Sequence, residues 1–475
     1  MSCLNRKIIL VELQEHVHEA LKVWSQYRIQ ADDNPIGHLY LYRKRYFNGA
    51  NPWQAMDHVL VRGLKDLEKQ DFTQATLIRK RFLEKNSPEV VAEEFEIALS
   101  TFFVLQKEAI DALALIIYEM EKEEVAQRNV LVRERMDKLS HIHLIGIEKP
   151  IRDLMELLAT PGPPWIITVE GLGGIGKTTL VQALIERLMQ ENVFYDFSWF
   201  PVRQRVFASE EETITMTKPI IKGVSIEEWL LDQLTIFTST KLPVDTVTKI
   251  VTARVKKGPH LIIIDNLEAL VDVESILPTL RRLVNPSKVI LTCRQSAVGE
   301  PDVYRYVMSE LCREHAYEFL RREAALRKHF ALSEASDAKL ERIYELVGGN
   351  PMALRLIVGQ TQMYSFDLVL EDLKESRGEH VHELYTTIYR QAWDKLDEMS
   401  RVALLTMPLL IPQGGEFGLV KAATGLNDQD LAYALEKLVN LNLIDAKNSG
   451  LNKRLYAIHY LTRSFIKRYV VKWII

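Results

Sequence analysis

The sequence predicts a multidomain α/β protein: an all-helical N-terminal domain, a domain built on a parallel sheet with flanking helices, a helical domain and a C-terminal winged-helix domain. Three observations carry this expectation. The chain has 475 residues, well beyond the about 250–300 at which a single core stops growing. Residues 1–140, and those after about Ser309, show helix-period apolar patterns. Between them short apolar runs alternate with helical segments, the mark of parallel strands covered on both faces.

Taken in order, residues 1–140 show helical periodicity broken at Asn34-Pro35, Asn48-Gly49 and Asn51-Pro52. The charge-dense stretch Glu119 to Lys138 reads as a solvated helix leading into the next domain, with the boundary near His141. A short helix follows (Ile151 to Leu158), then the breaker Thr160-Pro161-Gly162-Pro163-Pro164 and an apolar strand, Trp165 to Val169, that ends in a glycine-rich turn. Further strands are expected at Phe197 to Val202, Leu261 to Ile264 and Val289 to Thr292. The sheet domain is therefore set at 141–308 and the helical domain at 309–395. Residues 396–475 form the last domain, where short helices and a hairpin around Asn448-Ser449-Gly450 suit a winged helix.

Composition narrows the class of function. Apolar residues make up 47% and charged residues 26%, ordinary for a soluble globular protein. A net charge of −4 supplies no general attraction to nucleic acid or anionic membrane, so any such binding needs a local patch. Three cysteines without paired spacing (Cys3, Cys293, Cys312) suggest neither a disulfide framework nor a zinc site. The longest apolar stretch, Ala112 to Tyr118, is far short of the about 20 residues that cross a bilayer. A cytoplasmic protein without membrane contact is expected.

The chemistry is concentrated in Gly171-Leu172-Gly173-Gly174-Ile175-Gly176-Lys177-Thr178-Thr179. This satisfies the phosphate-loop pattern G-x-x-x-x-G-K-[ST] and lies between a predicted strand and a predicted helix. Its glycines let backbone N–H groups turn toward phosphates, and the following helix N-terminus adds positive potential. Lys177 is expected to reach the β- and γ-phosphates, and Thr178 to ligate Mg2+. Asp265, at the end of an apolar strand, supplies the carboxylate on the metal side. Many hydrolysing enzymes of this kind carry a second acid directly after the first. Asn266 stands there, so hydrolysis would rest on Glu268, and the chain is at most a slow ATPase. Arg294, ending the next strand, is a candidate sensor of the γ-phosphate.

These motifs, followed by Gly348-Gly349-Asn350-Pro351-Met352-Ala353-Leu354, resemble the NB-ARC class of STAND ATPases, the signal-transduction ATPases of apoptosome and plant resistance proteins. The resemblance covers residues 141 to about 470. It implies that Asn350 and Pro351 pack on the nucleotide base and sugar. Tyr456-Ala457-Ile458-His459-Tyr460-Leu461 is similar to the winged-helix element that offers a histidine to the ADP β-phosphate, which marks His459 as the state sensor. The segment before the first helix reads Gly146-Ile147-Glu148, where the family commonly has Gly-Arg-Glu. The implied function is a switch, closed with ADP and opening or oligomerising with ATP, that presents the N-terminal domain to a protein partner. Adenine is favoured by the resemblance, and the guanine-reading Asn-Lys-x-Asp sequence is missing.

Within the N-terminal domain, residues 87–116 resemble a helix-turn-helix of the sigma-factor region-four type, with Glu96 at the usual turn glycine. Thr101, Gln106 and Lys107 would be its reading residues, and Arg79, Lys80, Arg81 and Lys85 could touch a phosphate backbone. An ATP-gated DNA-binding regulator is thus the alternative function. Three His-x-His pairs (His16/His18, His141/His143, His380/His382) are not read as metal sites, because residues two apart on a helix point in opposed directions.

Overall fold

A computed structural model describes residues 10–25, 29–31, 33–136, 144–202, 226–234, 243–267, 273–293, 300–375, 389–390, 392–394, 396–410, 414–441, 443–448, 454–458 and 460–466. Among the described residues the N-terminal part holds six α-helices: α1 (Leu10–Val23), α2 (Tyr40–Phe47), α3 (Pro52–Gln70), α4 (Phe72–Ile78), α5 (Pro88–Glu94) and α6 (Leu99–Arg135). The Asn and Pro breakers separate α1, α2 and α3. Asn51 begins α3 with a capping box, its side chain accepting from Gln54 N at 2.8 Å while Gln54 Oε1 accepts from Asn51 N at 3.0 Å. Leu13, Val17, Leu21 and Trp24 of the first helical segment meet Met56 and Leu60 of α3 and Leu113 and Ile117 of α6 in one core.

The stretch from Glu119 onward is helical, as its charge suggested, but it is not solvated on every face. It continues α6 to a total of 37 residues, and Glu121 and Arg128 are buried within it. Glu121 accepts from the N–H groups of Tyr40 and Leu41 at 2.7 and 2.9 Å, satisfying orphan donors at the start of α2. Arg133 pairs with Glu186 through two contacts of 2.8 Å, and Arg135 donates to the carbonyls of Phe197 and Gln233 at 2.6 and 2.8 Å. Arg128, Arg133 and Arg135 find their partners across the interface with the sheet domain, so this helix end is a strut between the two.

The sheet domain comprises α7 (Glu148–Ala159), β1 (Ile166–Glu170), α8 (Lys177–Glu191), β2 (Asp196–Pro201), α9 (Ile226–Gln233), α10 (Val244–Lys257), β3 (His260–Asp265), α11 (Val273–Leu283), β4 (Lys288–Cys293) and β5 (Val303–Val307). All five strands are parallel in the order β2-β3-β4-β1-β5. Alternation along the strands feeds two cores. Ile167, Val169, Ile263 and Ile290 face α7 and α8, whereas Ile262, Ile264, Val289 and Leu291 face α9, α10 and α11. Lys288 donates to the carbonyls of Leu157 and Thr160 at 2.6 and 2.8 Å, closing the C-terminal end of α7 with a cation. The fifth strand has no counterpart in the sequence reading. β5 is an edge strand whose Tyr304 and Val307 are exposed, so it lacks the continuous apolar run that marked the central strands.

Beyond β5 lie α12 (Arg313–Leu326), α13 (Phe330–Ser333), α14 (Asp337–Val347), α15 (Pro351–Met363), α16 (Phe366–Glu375) and α17 (Glu398–Thr406). They are followed by β6 (Gly415–Glu416), α18 (Phe417–Thr424), α19 (Asp428–Asn440), β7 (Ile444–Asn448), β8 (Arg454–Ile458) and α20 (Tyr460–Phe465). The strands form an antiparallel sheet in the order β6-β8-β7. One continuous core joins Leu320, Ile343 and Leu354 to Leu404, Leu435 and Leu438.

Candidate nucleotide site

At the carboxyl end of β1 the backbone turns through the 171–179 loop into α8. Gly176, directly before the helix, has φ of 103°, a conformation that a side chain would strain. The loop therefore delivers Lys177 as the first residue of α8. The Lys177 side chain is buried and donates to the carbonyls of Gly171 and Leu172 at 2.9 and 3.1 Å, spanning the loop it follows.

The neighbouring strands bring the acid to the loop. Asp265 ends β3, and its carboxylate oxygens accept from the Thr178 hydroxyl at 2.9 and 3.1 Å. Thr292 of β4 donates to Asp265 at 2.5 Å and accepts from the Asn266 N–H at 2.8 Å. Asn266 takes a left-handed conformation, φ of 69°, and its amide donates to Val202 O at 3.3 Å. Thr292 belongs to the site although the sequence reading saw only a strand residue. Its role follows from the pairing of β3 with β4, which local sequence does not display.

The loop is tied to the helical region by Asn350. Its amide nitrogen donates to Gly173 O at 3.1 Å, and its oxygen accepts from the N–H groups of Met352 and Ala353 at 3.0 and 3.4 Å, capping α15. Asn350 is fully buried, so both halves of the amide are engaged in holding the turn, and Pro351 is the residue of that turn that faces the cavity. Gly349 beside it has no room for a side chain, since a Cβ would lie 2.0 Å from Leu311 O. Its N–H donates to Glu310 at 2.9 Å and its carbonyl accepts from Leu311 N at 2.9 Å.

A cavity of about 870 Å³ opens over these residues, within the range of small-molecule and cofactor sites. One side is the loop from Gly174 to Thr179 with Asp265 and Asn266; Leu144 to Ile147 and Pro150 form another; α12 and α15 close it with Phe319, Met352 and Arg355. Ile175 and Thr179 both face it, and Gly171 and Gly173 lie behind, contributing carbonyls to Lys177 and Asn350. Arg305 also lines the cavity and is paired with buried Glu170 at 2.8 and 3.0 Å, another contact that sequence reading missed. The donor set suits Mg2+ and a phosphate chain: a hydroxyl and a carboxylate adjoin a loop rich in backbone N–H groups at a helix N-terminus. Glu268, Arg294 and His459 lie outside the described residues.

Residues 87–116, expected to form a helix-turn-helix, present a different surface. α5 and α6 are joined through Glu96 at φ of 54°. At the start of α6, Phe103 and Val104 are 50% and 58% exposed, an apolar surface where a DNA reader needs polar and cationic groups. Arg79 and Lys80 pair with Glu68 and Glu94 at 3.0 and 2.7 Å, and Arg81 bonds to Asn86 O at 3.2 Å. Three of the four cations proposed for a phosphate backbone, Arg79, Lys80 and Arg81, thus have partners within the domain.

A parallel sheet of this order, with a phosphate loop after β1 and an acid ending β3, defines a P-loop NTPase. More particularly, residues 147–329 match the family model of the NB-ARC domain. The chain is 21% identical over 242 residues to the probable disease resistance RPP8-like protein 2 of Arabidopsis thaliana, covering 49% of this chain and 24% of that protein. It is 22% identical over 259 residues to the probable disease resistance protein RF45 of the same plant, covering 53% and 24%. The chain thus matches about a quarter of the length of these curated relatives. Among solved structures, a STAND protein with a tetratricopeptide repeat sensor from Pyrococcus horikoshii aligns at a TM-score of 0.40 and 20% identity, over 70% of this chain and 43% of that one. The ORC2 protein of Aeropyrum pernix aligns at 0.31 and 16%, over 72% and 98%. No helix among the described residues is long and apolar enough to cross a membrane.

Proposed function

We propose that the chain is an adenine-nucleotide switch of the STAND class, acting in the cytoplasm. The supporting observation is a single cavity walled on one side by the phosphate loop with Asp265 and on the other by α12 and α15. An occupant touching both walls can set how the two halves sit, which is the requirement for a ligand-biased two-state element. Lys177 and the loop N–H groups hold the phosphates, and Thr178 and Asp265 are the residues that would hold Mg2+, which when bound neutralises phosphate charge. Ile147, Pro150, Phe319 and Met352 offer an apolar wall suited to the base, with Pro351 at the sugar.

In this reading ADP keeps the molecule closed through His459 of a C-terminal winged helix. ATP, sensed by Arg294 and Lys177, opens it, so that opened molecules associate and present the N-terminal domain to a protein partner. Turnover is slow, because the position after Asp265 holds an amide that is bonded to Val202 O, and any activation of water falls to Glu268. The exposed Phe103 and Val104 favour a protein over DNA as the partner.

The test is the nucleotide retained by the purified protein, identified by chromatography after denaturation, beside Lys177→Ala. Stoichiometric ADP that is lost in the variant supports the switch. An empty site, or a guanine nucleotide, overturns it.

A further inference from the structure

The cavity wall opposite the phosphate loop is one face of α12, on which His315, Phe319 and Glu323 recur at helical spacing, together with Met352 and Arg355 of α15. Two guanidinium groups converge there on one carboxylate oxygen. Oε1 of Glu323 accepts from Nε of Arg355 at 3.1 Å and from Nε of Arg327 at 3.0 Å. All three side chains are largely shielded, with exposures of 12% for Glu323, 15% for Arg327 and 20% for Arg355. Arg355 and Glu323 face the cavity. Arg327 points elsewhere: its Nη1 donates to the carbonyl of Val439 at 3.3 Å, in the last turn of α19, the helix that leads into β7.

We propose that Arg355, Glu323 and Arg327 form a relay that reports the nucleotide in the cavity to the C-terminal domain. It rests on the nucleotide reading above and adds the route by which that site is coupled to α19. Arg355 faces the cavity while bonded to Glu323, so an anionic group entering the cavity competes with Glu323 for Arg355. When Arg355 turns to that group, Glu323 keeps Arg327 alone. The position of Arg327, and with it the contact on Val439, shifts. Shielding from water strengthens each of these interactions relative to a surface pair. Arg327 is a positioning residue here, because it acts on the nucleotide only through Glu323.

The experiment compares the affinity for ADP and ATPγS with hydrogen exchange in α19 and β7, with and without nucleotide, in the full chain and in Arg355→Gln, Glu323→Gln and Arg327→Gln. Arg355→Gln is expected to weaken nucleotide binding by about tenfold, the effect of one charge-assisted hydrogen bond. Arg327→Gln is expected to bind within about threefold of the parent yet lose the nucleotide-dependent change in exchange, and Glu323→Gln, which removes the competitor for Arg355, is expected to bind at least as tightly as the parent and to lose that change as well. Arg327→Lys, which keeps the charge but cannot fork to both Glu323 and Val439, is expected to retain binding and show a reduced change, and it serves if the glutamine variant does not fold. A normal exchange response in both Arg327 variants, or unweakened binding in Arg355→Gln, overturns the relay. So does a parent protein that binds nucleotide without any change in α19, a result that leaves the nucleotide reading standing. A parent that, like Lys177→Ala, binds neither nucleotide overturns both.

Discussion

The Thr178 hydroxyl donates to both oxygens of Asp265, at 2.9 and 3.1 Å, joining the first turn of α8 to the end of β3. Two groups that are 87 residues apart in sequence thus meet as a hydroxyl and a carboxylate beside the phosphate loop. Asp265→Asn keeps an acceptor for Thr178 and removes the charge. Nucleotide affinity is expected to fall by about tenfold or more in the presence of Mg2+ and to stay unchanged with a chelator, as read by calorimetry. An equal loss in both conditions would assign Asp265 to loop architecture instead.

Asn350→Ala removes the cap of α15 and leaves Gly173 O without its donor. The cap accounts for about 1 kcal/mol and the lost hydrogen bond to the half-buried Gly173 carbonyl for about 0.5–1.5 kcal/mol. A drop in unfolding midpoint of several degrees is expected in differential scanning calorimetry. Asn350→Asp keeps the cap but sets a carboxylate against Gly173 O, and is expected to be no more stable than the alanine variant.

Arg128 anchors α6 to the sheet domain. Its guanidinium donates to the carbonyls of Met189, Phe194 and Tyr195 at 3.5, 3.3 and 3.4 Å and to Asn192 at 3.0 Å, and it lies over the Tyr40 ring. Arg128→Ala is expected to destabilise the chain by about 1–3 kcal/mol, the scale for leaving buried acceptors without their donor. Arg128→Lys is expected to rescue little, because an ammonium cannot serve this spread of acceptors. Faster hydrogen exchange in α2 and β2 would show the loosened contact; unchanged exchange would place the stability loss elsewhere.

Burial holds the imidazoles of His38 and His260 down at about 4, helped at His38 by the neighbouring His16 and Arg43. His260 Nδ1 lies 2.9 Å from Gly258 O, and its Nε2 has no partner among the described residues. The unfolded chain takes up these protons near pH 6.5 and the folded chain only near 4. Stability is therefore complete above about pH 6.5 and is lost as pH falls toward 4, by up to about 3 kcal/mol for each ring. Denaturant midpoints measured across this window are expected to decline, and a His38→Gln/His260→Gln double variant to decline less steeply.

What the sequence determined by itself is local. Helical periodicity marked the N-terminal bundle, the apolar runs marked four of the five strands of the parallel sheet, and the glycine-lysine-threonine loop with an acid-ended strand announced a nucleotide site. Each signal sits within a dozen or so contiguous residues, where backbone preference and burial leave a readable pattern. The tertiary structure decided the rest, because it depends on which distant segments are brought together. Pairing of β3 with β4 sets Thr292 against Asp265. Packing of α15 on the loop turns Asn350 inward to Gly173, 177 residues away. The strand β5 is recognisable only as an edge added to β1. The charges from Glu119 onward looked solvated because composition cannot show that Arg128 finds carbonyl partners in another domain. Partnering across the interface, not polarity, determines whether such a charge is buried.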